Sequence, residues 1–327
     1  MKIAVAISGG VDSAVAALLL KERGHDLVGV TMTLGRADEE KSLAAAREVA
    51  SRLAIPLEVF DFSREWRVNV LDYIRTTYLA GATPNPCVRC NETVKFGLLP
   101  ESAFALGCER FATGHYARTA RREDGGVRLL RAVDKAKDQS YFLYRVRPAI
   151  LARTLFPLGE LTKAEVRGLA RRAGFEVAEK DDSQDFCGGD VKNFLPREPR
   201  VGAIVRAGDG KVLGKHPGFW NYTVGKRKGL GIGGGTPYYV VALDAERNEV
   251  LVDFRENTLT YELALGDCVG ETDRSLPVKV RSAGEPRRLA DGLSGVAPGQ
   301  SAVFYRGDEV VGGGIVLPNR PRCNFPR

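Results

Sequence analysis

The chain has 327 residues, of which 44% are hydrophobic and 27% charged, the profile of a soluble globular protein of roughly two or three domains with a sizeable core. No apolar run approaches the length that crosses a bilayer, which excludes a helical membrane protein. Lys and Arg number 48 against 41 Asp and Glu, a net charge of +7 that favours a polyanionic partner over a basic one. Met1-Lys2-Ile3 runs directly into an apolar segment with no room for a signal peptide, so a cytoplasmic protein is expected.

The first element, Ile3 to Ile7, reads as a buried parallel strand, and Ala14 to Lys21 as an Ala/Leu-rich helix. Between them lies the tight turn of Ala6-Ile7-Ser8-Gly9-Gly10-Val11-Asp12-Ser13. Two glycines let the backbone turn sharply, and the free N–H groups at a helix start attract an anion. Ser8 and Ser13 would add hydroxyl donors to phosphate, and Asp12 fits an anion site if a divalent cation is shared with the phosphates. No Gly-Lys-Ser/Thr follows, so this is not a Walker A loop. It resembles instead the Ser-Gly-Gly-x-Asp-Ser loop of PP-loop ATP pyrophosphatases, which implies ATP and Mg2+.

Asp26 to Thr33 reads as a second strand, with Met32 near its end where an adenine ring could pack. Helix Glu39 to Leu53, strand Leu57 to Asp61 and helix Glu65 to Leu79 follow, the alternation of a doubly wound α/β sheet. Two prolines in Gly81-Ala82-Thr83-Pro84-Asn85-Pro86-Cys87-Val88-Arg89-Cys90-Asn91 predict a stiff loop without helix. A helix resumes over Thr93 to Leu106, and the strand Phe111 to Gly114 ends in Thr113-Gly114-His115-Tyr116, at the sheet end that binds ligands. Arg118 to Val133 reads as a hairpin turning at Gly125-Gly126. Leu161 to Ala173 is a helix with Thr162 as N-cap and Glu165 at the capping-box position, its exposed side basic at Lys163, Arg167, Arg171 and Arg172.

After about Pro196 the helical period disappears and short strands separated by Gly and Asp/Asn turns take over: 202–206, 212–215, 238–244, 249–253, 278–281, 301–305 and 310–316. The expected organisation is an α/β nucleotide-binding domain over 1–195, a β-rich domain over 196–257 and a C-terminal β-barrel over 258–327. Trp220 to Gly231 is basic, aromatic and Gly-rich, with Lys226, Arg227 and Lys228 suited to a phosphate backbone. Of six cysteines, Cys108 reads as core and Cys268 and Cys323 as structural, whereas Cys87, Cys90 and Cys187 sit in polar, Pro-rich or Gly-rich stretches that suit thiol or metal chemistry. Arg89 or the helix start after Asn91 could lower a thiol pKa there. An adenylated oxygen is a leaving group that a persulfide can displace, with a second thiol releasing the sulfur.

Seven motifs in order are similar to the tRNA-specific 2-thiouridylase family over nearly the whole chain: Ser8 to Ser13, Thr83-Pro84-Asn85-Pro86 with Cys90-Asn91, Thr113 to Tyr116, Lys137-Asp138-Gln139-Ser140, Asp182 to Cys187, Thr223 to Gly231, and Pro298 to Tyr305. The resemblance implies 2-thiolation of the tRNA wobble uridine, by adenylation of O2 and sulfur transfer from a cysteine persulfide. It implies that Ala6 to Ser13, Met32 and Gly114 bind ATP, and that Asn85, Pro86 and Cys87 face the target base. Cys187 would carry the persulfide and Cys90 would free the sulfur, leaving a Cys90–Cys187 disulfide. His115, Lys137, Asp138, Gln139, Arg281, Ser282 and Gln300 would contact tRNA. Ser282 stands where the family has Tyr, and Cys87 where many members have Asp. The partners implied are the tRNA anticodon stem-loop and a persulfide relay protein or cysteine desulfurase. Cys87, Cys90 and Cys187 could alternatively hold a labile iron–sulfur cluster. Rival readings are a non-catalytic tRNA-binding protein with a vestigial nucleotide site, and another PP-loop ligase.

Overall fold

The computed structural model describes residues 1–37, 39–175, 191–233 and 235–318. In chain order the elements begin β1 (Lys2–Ala6), α1 (Val11–Glu22), β2 (Asp26–Thr33), α2 (Glu39–Arg52), β3 (Leu57–Asp61), α3 (Ser63–Trp66), α4 (Asp72–Leu79), α5 (Pro86–Cys90), α6 (Leu99–Ala105) and β4 (Arg110–Ala112). They continue β5 (Ala117–Arg121), β6 (Val127–Arg131), α7 (Pro148–Leu151), β7 (Thr154–Leu155), α8 (Lys163–Arg172), β8 (Gly202–Arg206), β9 (Val212–His216), β10 (Tyr239–Asp244) and β11 (Glu249–Asp253). The last are β12 (Leu259–Thr260), β13 (Leu265–Gly270), β14 (Val278–Lys279), β15 (Leu293–Ser294), β16 (Ser301–Arg306) and β17 (Glu309–Val316).

The described residues form two compact units that do not follow chain order. The first takes residues 1–70, 87–175 and 306–311, the second 71–86, 191–305 and 312–318. The first is built on a parallel sheet of order β3-β2-β1-β4-β7. β1 lies at its centre, and Ile3, Ala4 and Val5 are fully buried, as the unbroken apolar run requires. The chain leaves β1 in one direction to β2 and β3 and returns on its other side as β4, so the strand order reverses between β1 and β4. A crevice at the carboxyl ends of those two strands is where open α/β sheets take ligands. The turns after them carry Ser8 to Ser13 and Thr113 to Tyr116.

α1 is Ala-rich, and Ala14, Ala16 and Ala17 are fully buried, which lets it lie close on the sheet and against α8. The expected hairpin forms as β5–β6, and Glu309 and Val310 pair with Leu130 and Leu129 on its far strand. In the second unit one sheet has the order β10-β11-β8-β9, mixing parallel and antiparallel pairs over a core of Phe219, Trp220, Tyr222 and Val240. A further sheet runs β14-β16-β17, with β13 on β17, beside the short pair β12–β15. Tyr78 packs on the aromatic core, and Thr83 N–H donates to Pro298 O over 2.7 Å, which explains why residues 71–86 join this unit.

Two expectations are corrected and one, a helix, is refined. The segment around Cys87 is not a helix-free loop: Pro86 opens α5, because the first helical position needs no N–H and suits a fixed φ. The helix expected over 93–106 is π-helical across Asn91–Leu98 before α6. Lys163 is not on the exposed side of α8 but 9% exposed. Cys108 is core, as expected.

Candidate functional site

The turn after β1 is shaped by its neighbours. Gly9 has φ +77°, and a Cβ there would stand 2.7 Å from Ala45 Cβ, so only glycine fits. Gly10 is the N-cap of α1 and gives no side-chain cap, which leaves the first N–H groups of the helix open to an anion. Ser13 is buried, and its hydroxyl donates to Gly10 O at 2.9 Å while accepting from Ser8 N–H at 3.2 Å. That hydroxyl, expected as a phosphate donor, ties the turn together. Ser8 is exposed, with its Oγ 3.3 Å from Ser13 Oγ.

Gly114 brings the turn after β4 onto this one. A Cβ on Gly114 would lie 2.7 Å from both Asp12 C and Ser13 N, so the close approach is to the neighbouring turn's backbone. Met32, at the end of β2 opposite Phe60, is partly buried. Asp12, about one third exposed, accepts from Tyr116 OH at 2.9 Å and from Lys163 Nζ at 2.8 Å (Oδ1) and 2.9 Å (Oδ2). A carboxylate of this kind fits Mg2+, which is held by one or two carboxylates together with substrate phosphates.

Neither Tyr116 nor Lys163 was picked out as functional in the sequence. Lys163 could have been found from its position directly after the capping residue, which fixes its backbone. Thr162 Oγ1 accepts from Glu165 N–H, and Glu165 Oε2 accepts from Thr162 N–H at 2.7 Å, the expected capping box. These bonds from Thr162 hold the Glu165 carboxyl below its ordinary pKa. Lys163 N–H donates to Asp134 Oδ2 at 3.0 Å.

His115 Nδ1 lies 3.0 Å from Thr113 Oγ1, and its ring meets Phe96 edge to face at 5.2 Å. The ring is only partly covered by surface area, yet its enclosure, and then the charge of Lys95, push its pKa down to about 3, so the imidazole is neutral at physiological pH. Phe96 belongs to the π-helical segment that begins after Cys90. Cys90 is 2% exposed, and Cys87, three residues earlier on the same helical turn, is partly buried. The Arg89 guanidinium is engaged by Glu92 and by Asn69 O, and Glu92 also accepts from Arg145 Nε at 2.9 Å.

Several residues expected to contact tRNA bond to the protein itself. Asp138 is buried and accepts from Arg131 Nε, Ala132 N–H, and Ser140 N–H and Oγ. That carboxylate, expected to contact tRNA, holds the loop. Gln139 is committed to the Tyr116 backbone, and Lys137 between Ala136 and Asp138 is partly buried. In the second unit Gln300 Nε2 donates to Thr83 O and Pro84 O, and the buried Asn85 donates its N–H to Tyr73 OH at 3.1 Å. Lys226 Nζ donates to Asn221 O at 2.9 Å and sits 4.9 Å from the Tyr222 ring centroid, whereas Arg227, Lys228, Arg281 and Ser282 are exposed. Cys187 lies outside the described residues. Among the described residues no group of three or more His, Cys, Asp or Glu is gathered to hold a metal, and no helix is long and apolar enough to cross a membrane.

Residues 1–188 match the family described as the tRNA methyl transferase HUP domain, 191–253 its PRC-barrel domain, and 273–316 the aminomethyltransferase beta-barrel domain. A tRNA-specific 2-thiouridylase MnmA of Chloroflexus aurantiacus is 42% identical over 96% of this chain and 98% of its own. The MnmA of Acidithiobacillus ferrooxidans is likewise 42% identical over 96% and 98%. The chain belongs to the tRNA-specific 2-thiouridylase family. The N-terminal α/β domain followed by two small β-rich domains, as expected, is this family's architecture. A 4-thiouridine synthetase solved as an RNA complex with bound ATP is similar at 18% identity, over 61% of this chain and 46% of that one. Its TM-score of 0.40 is too low to carry an argument about fold.

Proposed function

We propose that this 2-thiouridylase replaces O2 of the wobble uridine of tRNA with sulfur, at the cost of ATP cleaved to AMP and pyrophosphate. The observation that carries the reading is the turn after β1. It combines an uncapped helix start, a glycine pair with no room for a side chain at Gly9, and a carboxylate at the second helical residue. That arrangement grips a pyrophosphate, and it stands in a chain that matches 2-thiouridylases over 96% of its length.

Ala6 to Ser13 bind the phosphates, Met32 packs on the adenine, and Gly114 keeps the turn after β4 tight against them. Asp12 would hold Mg2+, which when bound offsets the charge of the departing pyrophosphate. Asn85, Pro86 and Cys87 face the uracil, which must leave its stack for C2 to be reached; in an unpaired anticodon loop this costs less than in a duplex. The uridine O2 attacks the α-phosphorus of ATP and pyrophosphate leaves. The terminal sulfur of the Cys187 persulfide then attacks C2 and AMP leaves with O2. Cys90, as thiolate, attacks Sγ of Cys187, which frees 2-thiouridine and leaves a Cys90–Cys187 disulfide. This route needs no iron–sulfur cluster. Its sulfur comes from a persulfide relay protein or a cysteine desulfurase in the cytoplasm.

Arg227, Lys228 and Arg281 meet the phosphates of the anticodon stem-loop, with Lys137, His115 and Ser282 at its edge. Gln139, Asp138, Lys226 and Gln300 act by holding the segments that make contact. Labelled ATP tests the reading: AMP should form with unmodified tRNA and a persulfide source and stay at background with amino acids alone. AMP formation driven by an amino acid without tRNA would point to another PP-loop ligase, and tight tRNA binding with no AMP to a vestigial site.

A further inference from the structure

The Asp12 carboxylate is matched by an ammonium rather than open for a metal. Lys163 Nζ reaches both of its oxygens, at 2.8 Å and 2.9 Å, and the lysine side chain is only 11% exposed. Tyr116 OH holds the same carboxylate from another direction. The lysine backbone is fixed by its N–H bond to Asp134 and by the capping box at Thr162 and Glu165, so the side chain is the part that can move. Any divalent ion binding Asp12 in this arrangement would stand against the Lys163 charge, sharing an anion that one cation already satisfies.

We propose that Lys163 takes the place of the divalent ion at Asp12 while nucleotide is absent, so that the site admits metal only together with ATP. The inference rests on the ATP-binding part of the proposed function and not on the thiolation chemistry. ATP changes the balance by bringing its own anions to the uncapped start of α1. Its phosphates offer the ammonium a new partner within reach of Asp12 and offer the metal the further oxygens that Asp12 alone does not. Lys163 would then leave the carboxylate and pair with phosphate, and Asp12 would be free to hold the metal. Because coupling between two ligands is reciprocal, metal and nucleotide raise each other's affinity. Lys163 is in this account a positioning residue for both.

The probe is Mn2+, followed by electron paramagnetic resonance with and without an ATP analogue whose α–β bridge cannot be cleaved. Wild-type protein should bind Mn2+ at Asp12 only weakly without nucleotide and take up one ion tightly with the analogue. Lys163→Met should bind Mn2+ without nucleotide on the order of tenfold more tightly than wild type, a typical coupling factor. That gain should vanish when Asp12→Asn is added, and Lys163→Arg should keep metal out as the wild type does. The wild-type measurement stands by itself if Lys163→Met folds poorly. Nucleotide-free wild type that binds one Mn2+ as tightly as with the analogue, and loses it in Asp12→Asn, overturns the inference. So does a folded Lys163→Met with unchanged affinity. A wild type that binds no analogue refutes the proposed function and, with it, the hand-over to phosphate. A protein that shows the coupled binding yet thiolates no tRNA refutes the thiolation alone.

Discussion

Gln139 and Tyr116 exchange two hydrogen bonds: Tyr116 N–H donates to Gln139 Oε1, and Gln139 N–H donates to Tyr116 O, each at 2.9 Å. Tyr116 in turn donates its hydroxyl to Asp12. A line of bonds therefore runs from the Lys137-Asp138-Gln139-Ser140 segment to the carboxylate of the nucleotide turn. Tyr116→Phe removes its last link, a bond to a charged acceptor. AMP formation should fall on the order of tenfold, the rate equivalent of about 1.4 kcal/mol, with tRNA affinity unchanged. Parallel AMP assays and tRNA titrations check this.

Asp138 anchors the other end of that line. Its side chain is fully buried against Arg131, itself 6% exposed. Asp138→Ala leaves a buried guanidinium without its carboxylate and should cost about 3–5 kcal/mol of stability, read as a lowered denaturation midpoint. A variant of wild-type stability that binds tRNA more weakly would restore the surface role expected from sequence.

The sheet, the glycine turn, the hairpin and the capping box were legible because each depends on neighbours in the chain: an apolar run, a glycine pair, the Gly125-Gly126 turn signal, Thr162 with Glu165. The partners of Asp12 were not, because Tyr116 and Lys163 lie 104 and 151 residues away and meet it only when the sheet closes. Lys163 looked exposed because Arg167, Arg171 and Arg172 on the same helix are the solvent-side pattern. Asp138 and Gln139 read as contacts because the family resemblance implies that role for their motif, and nothing local told that Arg131 and Tyr116 would bond them. Pro86 read as a helix breaker although proline is at home in a first turn.

The three basic residues of the Gly-rich stretch divide by what their side chains already hold. Arg227→Ala with Lys228→Ala should weaken tRNA binding and lower the log–log salt slope by roughly 0.7–0.9 for each phosphate that the variant no longer neutralises. Lys226→Ala, which removes the bond to Asn221 O, should leave that slope unchanged and lower stability by about 1 kcal/mol. Binding isotherms over a salt series distinguish the two.

His115 makes the fold acid-sensitive. Its pKa in the folded protein is about 3, below the ordinary value, so as pH falls below about 6.5 the unfolded chain takes up a proton that the folded chain refuses. The contribution to stability is present in full above about 6.5 and is lost progressively as pH falls toward 3, by up to about 1.4 kcal/mol per pH unit. His115→Gln, which cannot be protonated, should show a flatter loss of stability between pH 6.5 and 4. An identical acid profile for variant and wild type would mean that the ring takes up its proton without cost.

Mass analysis of tRNA nucleosides after incubation with ATP, Mg2+ and a sulfur source labelled with a heavy isotope tests the central claim most directly. The account predicts 2-thiouridine at the wobble position carrying the label, AMP in equal amount, and no release of the thiolated base in Cys90→Ser. Labelled tRNA without AMP, or a methylated nucleoside in place of the thiolated one, would contradict it.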